Sequence, residues 1–248
     1  MIWGDYHTHT KNSDGRGTLI DTLRQAEKVG LRQVGISDHG FRHVARGMKL
    51  ADVEKTRRLM EQYQKDFAVE CLLGIEANIY TSDGRIDLTP QQRDLFDYVI
   101  AGYHKAVWGK SIGDAFRYNI PAIFADLTNY TDAQRAKYTK TIVQAVKTGK
   151  INVLAHLNYG IPSFVTEVGK AAIDYGVYIE LNGKRVSMTD DEVMTLYDMG
   201  VQFILGSDGH TPQSIGDVSV PLAVVERLNI DKSRIVNWEK IPDMTKKL

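Results

Sequence analysis

Short apolar runs separated by helix-length amphipathic stretches recur along the whole chain, and this rhythm limits the fold more than any other feature of the sequence. The run in "MIWGDYH" leads into "TLIDTLRQAEKVG", whose Gly30 reads as a helix stop. Next come "RQVGISDH", a helix over about 51–65, "ECLLGIEANI" and "DYVIAGYH" at 97–104. The pattern resumes with a helix at about 132–148, "INVLAH", a helix near 163–175, "VYIELNG", a helix near 189–199, "VQFILGSDGH" and a closing helix near 215–228. About seven apolar strands alternating with helices imply a parallel sheet covered by helices. With 248 residues and no Gly/Ser/Pro-rich linker, residues 1–248 read as a single α/β domain, a closed or nearly closed barrel. An open doubly wound sheet would be expected to carry a glycine-rich phosphate loop after an early strand, and neither G-x-G-x-x-G nor G-x-x-x-x-G-K-[ST] occurs. Residues 105–130 are too long for a plain strand-to-helix loop and read as a lid or a short helical insertion.

The chain has seven histidines, and six of them fall at the C-terminal ends of these strands. His7 and His9 end the first, His39 the second, His104 the fourth, His156 the fifth and His210 the seventh, with Glu76 on the third and Asp208 two residues before His210. Residues i and i+2 of a strand share a face, so the His7/His9 pair can aim both imidazoles at one spot. In a barrel the C-terminal strand ends converge on one face, where such enzymes place their chemistry. A lone histidine at any one of these places is more often structural; the joint arrangement points to a shared metal centre.

Three "SDG" tripeptides need separate readings. Asp83 lies between two short β-like runs and reads as a hairpin turn with no ligand role. Asp208 follows an apolar strand and repeats the His7/His9 arrangement with His210. Asp14 is either a plain Asp-Gly turn or a ligand, and spacing alone leaves the two even. Asp5 shares the parity of His7 and His9, so it either orients an imidazole from behind or is a structural acid of the barrel interior.

Composition removes several function classes. Thirty-one basic and 31 acidic residues give zero formal charge, with no basic run outside the C-terminal "TKKL", which makes nucleic acid a poor expectation. Cys71 is the only cysteine, so an internal disulfide framework and a cysteine-rich zinc site are excluded; it reads as a small buried apolar residue facing away from Glu76. The N-terminus has no basic segment followed by an apolar one, and no run of about 18 apolar residues exists, so no membrane span and a cytoplasmic location are expected.

The motifs "DYHTHTKNSDG", "ISDHG", "GIEANI", "AGYH", "LAH" and "GSDGH" stand in the order found in the PHP (polymerase and histidinol phosphatase) family. The chain resembles that family over nearly its whole length, and most of all its small stand-alone bacterial phosphatases; no polymerase domain is present. The resemblance implies a distorted seven-stranded (β/α) TIM-like barrel holding three divalent metal ions. Its matching ligands here are His7, His9, Asp14, His39, Glu76, His104, His156, Asp208 and His210, with Glu76 bridging two ions. Some stand-alone members carry histidine where Asp14 stands.

Nitrogen and carboxylate ligands without thiolates suit zinc, manganese or iron. Three divalent ions against Asp14, Glu76, Asp208 and one bridging hydroxide leave about two net positive charges, a match for a phosphate dianion. The expected reaction is hydrolysis of a small phosphomonoester by in-line attack of that hydroxide, with Glu76, Asp208 and His210 as the catalytic candidates and histidinol-type phosphates not favoured over others. Strand six supplies no metal ligand, which frees its loop for substrate: Arg185 as a bidentate phosphate clamp and Lys184 as a point charge, each set against a plain solvated basic loop. His43 and Arg46 are weaker candidates of the same kind, and His43 is the one histidine outside the cluster. Tyr103 and Trp108 read as packing. The competing classes are a phosphodiesterase or 3′–5′ nuclease, which would want a basic groove; an amidohydrolase, whose pattern lacks Glu76; and a non-enzymatic PHP module, which would be expected to have lost ligands. Homo-oligomerisation is left open.

Overall fold

The computed structural model describes residues 1–44, 46–104, 107 and 130–245. Seven parallel strands run in sequence order around the sheet: β1 (Gly4–Asp5), β2 (Gln33–Ile36), β3 (Glu70–Asn78), β4 (Tyr98–Gly102), β5 (Val153–Leu154), β6 (Tyr178–Asn182) and β7 (Phe203–Gly206). Each strand pairs in parallel with the next. The sheet curls until its ends meet: Thr8 bridges Gly209 in parallel, His9 N donates to Gly209 O at 2.9 Å, and Gly209 N donates to His7 O at 3.1 Å. This is the nearly closed TIM-like barrel that the alternation predicts.

Below that contact β1 and β7 do not pair, and the C-terminal segment fills the seam. Asn237 Nδ2 donates to Gly4 O and to Leu205 O, both at 2.7 Å, and its Oδ1 accepts from Leu205 N at 3.1 Å. One buried amide thus satisfies backbone groups that an eighth strand would otherwise occupy.

Helices form where the pattern places them, because local signals agree with it. α1 (Leu19–Lys28) begins at a capping box of Thr18 and Asp21, buries Leu19, Thr22, Leu23 and Ala26, and is followed by Gly30 at φ 79°. α2 (Leu50–Tyr63) ends in a short 3-10 turn, and α3 (Pro90–Arg93) is a single turn. α4 (Asp132–Thr148) and α6 (Asp190–Met199) start at Thr131 and Thr189 boxes, while α5 (Val165–Tyr175) and α6 stop at left-handed Gly176 and Gly200. The closing helix α7 (Ser219–Arg227) is four residues shorter at its start than the amphipathic pattern suggests, because Gly216 takes a left-handed φ of 79° that breaks a helix there.

Strand parity divides the interior into two cores. On β3, Cys71, Leu73, Ile75 and Ala77 face the helix layer, and so do Val99 and Ala101 on β4, Ile179 and Leu181 on β6, and Phe203 and Leu205 on β7. The alternate set, Tyr6, Leu72, Tyr98, Ile100, Val153 and Ile204, fills the barrel below its mouth. Tyr98 Oη donates to Tyr6 O at 2.7 Å, so the plug is both packed and satisfied. Glu76, Glu180 and Asn182 continue the inward parity toward the C-terminal end. Among the described residues no helix is long and apolar enough to cross a membrane. Most of the 105–130 insertion lies outside the described residues; Val107 forms a bridge with His43, and Tyr130 precedes α4. Trp108 also lies outside them, whereas Tyr103 is buried in the outer core, as the packing reading expects.

Candidate metal centre

Glu76 sits at the middle of the mouth, fully buried, with imidazoles on every side. Its Oε1 lies 3.3 Å from His7 Nε2, 3.1 Å from His104 Nε2 and 2.8 Å from His156 Nε2; its Oε2 lies 2.8 Å from His39 Nδ1 and 3.7 Å from His9 Nε2. Asp208 Oδ1 is 3.3 Å from His9 Nε2 and 3.3 Å from His210 Nδ1. Asp14 Oδ1 is 3.3 Å from His39 Nε2 and 3.0 Å from His210 Nε2. All nine residues singled out from the sequence therefore come together, although they span positions 7 to 210.

Backbone features bring them that close. His156 and Asp208 adopt positive φ, 30° and 51°, which a side chain tolerates only where the surroundings impose it. Gly102 leaves room for an imidazole, since a Cβ there would stand 2.5 Å from His156 Cε1. A Cβ on Gly206 would collide with Glu180. The loop that carries Asp14 is tied down by Asp38, which accepts from Thr10 N at 2.7 Å, Thr10 Oγ1 at 2.6 Å and Ser13 Oγ at 2.5 Å.

The donor set fits divalent ions. His7 Nε2, both ring nitrogens of His9, Asp14 Oδ1, His39 Nδ1 and Glu76 Oε2 are buried without a well-directed hydrogen bond among the described residues. Buried polar atoms are normally satisfied, so a concentration of orphans at one point marks a ligand cage. Three overlapping groups each converge within 4.8 Å: His9, Asp14, His39 and His210; His7, His9 and Glu76; and His39, Glu76 and His104. Glu76 belongs to two of these groups, and so do His9 and His39.

The electrostatics follow from crowding. Burial alone would raise Glu76, but His104, His7 and His39 hold its carboxyl well below the usual range. Burial drives His9 down to about 3, whereas at His39 the opposing pull of Glu76 and Asp14 overcomes burial and lifts it to about 9. His7 is also raised, against burial, by Glu180, Glu76 and Asp208. Neighbouring imidazoles thus differ according to which carboxylate each one faces.

Glu180 is a residue that strand-end reasoning missed. Its Oε1 accepts from His7 Nδ1 at 2.7 Å, and its Oε2 accepts from His156 N at 3.0 Å and Asn182 Nδ2 at 2.9 Å. It fixes the His7 tautomer so that Nε2 faces Glu76. The available signal was an acid in an apolar strand, "YIELN", with the inward parity of Asn182. Asp5, weighed for that orienting role, serves the structural one: it accepts from Ser207 N at 3.1 Å, Gly216 N at 2.8 Å and His7 N at 3.3 Å, all backbone donors.

A cavity of about 270 Å³ opens over the cluster and is bordered by Lys184, Arg185, Tyr159 and Asn182. Lys184 Nζ lies 3.0 Å from Asp208 Oδ1 and 2.9 Å from His210 Nδ1. The Arg185 guanidinium has no partner among the described residues. Arg46 Nη1 donates to Asp14 Oδ2 at 2.6 Å from an exposed position. His43 does not border this cavity; its ring stacks on His39 with centroids 4.6 Å apart, and burial first, then His39 and His104, bring it down to about 4. Asp83 is an exposed turn residue paired with Arg85, and the Ile79–Ile86 bridge closes its hairpin.

Comparison with known proteins agrees with this geometry. The PHP domain profile matches residues 5–184. A probable phosphatase of Shewanella sp. strain ANA-3 is 26% identical over 245 residues, covering 94% of this chain and 86% of that protein. A probable phosphatase of Aliivibrio fischeri strain ES114 is 27% identical over 243 residues, covering 94% and 88%. Among solved structures, the histidinol phosphate phosphatase of Lactococcus lactis, complexed with zinc, L-histidinol and phosphate, superposes with a TM-score of 0.58 at 17% identity, covering 93% of this chain and 95% of that one. The metal-dependent tyrosine phosphatases YwqE of Bacillus subtilis and CpsB of Streptococcus pneumoniae are represented by a match with a TM-score of 0.52 at 16% identity, covering 93% and 89%.

Proposed function

This chain belongs to the PHP domain family, and on that premise we propose that it is a metal-dependent phosphoesterase hydrolysing small phosphomonoesters at a centre of three divalent ions. Residues 1–248 act as one domain in this reading, in a cytoplasmic setting. The observation that carries it is the convergence of nine histidine and carboxylate side chains beneath a cavity edged by two cations, with donor atoms of His7, His9, Asp14, His39 and Glu76 buried without a hydrogen bond among the described residues. His7, His9, Asp14, His39, Glu76, His104, His156, Asp208 and His210 would hold zinc, manganese or iron, and nine donors exceed what one ion of ordinary coordination number can take. Such ions supply a bound water whose pKa falls from about 15.7 toward about 7, and positive charge for the phosphoryl oxygens.

The protein's own groups do the rest. Glu76, shared between donor groups, holds the halves of the cluster together. Arg185 takes two phosphate oxygens through its planar fork, and Lys184 adds a point charge on the Asp208 side. Asp208 and His210, 3.3 Å apart at the cavity edge, orient the Lys184 ammonium, which lies against both, and that ammonium gives its proton to the departing alcohol oxygen. The test is turnover of a panel of phosphomonoesters, phosphodiesters and amides by protein reconstituted separately with manganese, zinc and iron, with bound metal counted in parallel. Monoesters should be preferred, with up to three ions per chain. Robust amide hydrolysis without phosphatase activity, or a stoichiometry that never exceeds one, would overturn the reading.

A further inference from the structure

A second cavity, of about 370 Å³, lies beside the first, and Tyr159 and Arg185 border both. Its wall is the loop between β5 and α5, and that loop is rigidly built. Asn158 and Gly160 are left-handed, with φ 67° and 76°. Asn158 Oδ1 accepts from Ser163 N at 2.8 Å and Ser163 Oγ at 2.6 Å, while its Nδ2 donates to Glu192 Oε1 on α6 at 3.2 Å. Tyr130 Oη donates to Gly160 O at 2.7 Å. The polar atoms that shape the loop are thus consumed within the fold, and little ordering remains to be done when a ligand arrives.

What stays available is chemically distinctive. Tyr159 is 47% exposed, yet its ring is held in place. It packs edge-on against His156 with centroids 5.5 Å apart, and its backbone N donates to His156 O at 2.9 Å. Ile161 and Pro162 add apolar surface, and the Arg185 guanidinium, without a partner among the described residues, stands where the two cavities join. Among the described residues that border this second cavity the charged group is Arg185, a cation, which favours an uncharged or acidic occupant.

We propose that the second cavity receives the alcohol portion of the substrate and selects alcohols bearing a flat, uncharged or acidic aromatic ring, with Tyr159 as the selecting residue. The inference rests on the phosphomonoesterase reading. The phosphate lies over the donor cluster, Arg185 spans the junction, and the ring of the alcohol stacks on Tyr159. A saturated ring of similar size fills the same volume but lacks a π face, so the difference between the two isolates the contribution of Tyr159.

The experiment measures binding of 2-phenylethylphosphonate, 2-cyclohexylethylphosphonate and methylphosphonate to the zinc-loaded protein by calorimetry, in wild type, Tyr159→Ala and Tyr159→Phe. Wild type should bind the phenyl compound roughly three- to tenfold more tightly than the cyclohexyl one. Tyr159→Ala should erase that preference and Tyr159→Phe should keep it, with unchanged melting temperatures confirming that both variants fold. Equal affinity for all three phosphonates, no binding of any, or a phenyl preference that survives Tyr159→Ala would overturn the proposal. If the expected pattern appears but the matching phosphate esters are not hydrolysed, the subsite stands and the phosphatase reading falls; if the esters are hydrolysed and the phosphonates bind alike, the reverse holds.

Discussion

Two regions of this barrel bury acids, and they treat them in opposite ways. Around the rim, Asp5, Asp38 and Asp87 accept hydrogen bonds from backbone amides, hydroxyls and an amide side chain; Asp87, for instance, accepts from Asn78 N at 2.7 Å, Asn78 Nδ2 at 2.6 Å and Arg42 N at 2.9 Å. Burial pushes all three upward, and these bonds only partly counter it. At the centre, burial would raise Glu76, Asp14 and Asp208 as well, but imidazoles hold them below their ordinary values. Burial therefore does not distinguish a working acid from a fastening one; the partner does. A carboxylate satisfied by neutral donors closes a loop, and one facing several imidazoles with oxygens to spare is prepared for cations.

The strongest way to break this distinction is Glu76→Gln. If Glu76 belongs to the working set, the amide should reduce turnover by several hundredfold or more, because removing one partner from a buried charged cluster costs about 3 to 5 kcal/mol. Bound metal should fall in elemental analysis while the far-ultraviolet circular dichroism stays that of the wild type. Unchanged activity with full metal content would move Glu76 into the fastening set.

A second expectation concerns pH. In chelated protein His39 is raised from 6.5 to about 9, so the stability it contributes is complete below about 6.5 and is lost as pH rises through about 9. The loss should approach about 3 kcal/mol across that window, with the raised His7 acting in the same direction. His9, lowered to about 3, has spent its effect by 6.5. Metal binding requires neutral imidazoles and releases protons, so zinc-loaded protein should show the opposite slope. Chemical denaturation at pH 6.5, 7.5 and 9, with chelator or with zinc, reads both slopes; parallel slopes would mean that the cluster does not exchange protons for ions.

The rim acids should fail differently. Asp5→Asn places an amide nitrogen against backbone donors and should cost about 2 to 3 kcal/mol, or roughly 5 to 10 °C in melting temperature. Metal content should remain intact. A variant with wild-type stability but depleted metal would give Asp5 the orienting role that its strand parity first suggested.

That ambiguity marks how far the sequence could be read. The barrel was legible because short apolar runs alternate with helix-length amphipathic stretches, and the structure adds threonine caps at Thr18, Thr89, Thr131 and Thr189; β3 is buried on both faces, so its run reads as continuous rather than alternating. The convergence of eight of the candidate ligands was legible because parallel topology sends every C-terminal strand end to the same face, whereas Asp14, in the loop after β1, was even with a plain Asp-Gly turn until the family resemblance was added. Asn237 was not, since its role depends on a seam between β1 and β7 that arises only when the sheet curls. His43 follows the "SDH" motif closely yet stacks on His39 and does not border the cavity over the cluster, an orientation that sequence spacing does not encode.

Glu180 gives the finest test of the comparison because it stands between the two sets. Like the rim acids it accepts from a backbone amide and a side-chain amide, at His156 and Asn182, and like the central acids it faces an imidazole. If its task is to orient His7, Glu180→Gln should lower metal affinity or turnover by about ten- to a hundredfold, the usual cost of losing a partner behind a metal-bound histidine. The glutamine can still accept from His7 Nδ1 through its carbonyl, so Glu180→Ala should cost more than Glu180→Gln in zinc affinity measured against a competing chelator. Were Glu180 only a fastener, both variants would lower the melting temperature while the zinc affinity of the folded protein stayed that of the wild type. A graded loss of affinity, alanine beyond glutamine, would place it with the central acids, acting through His7.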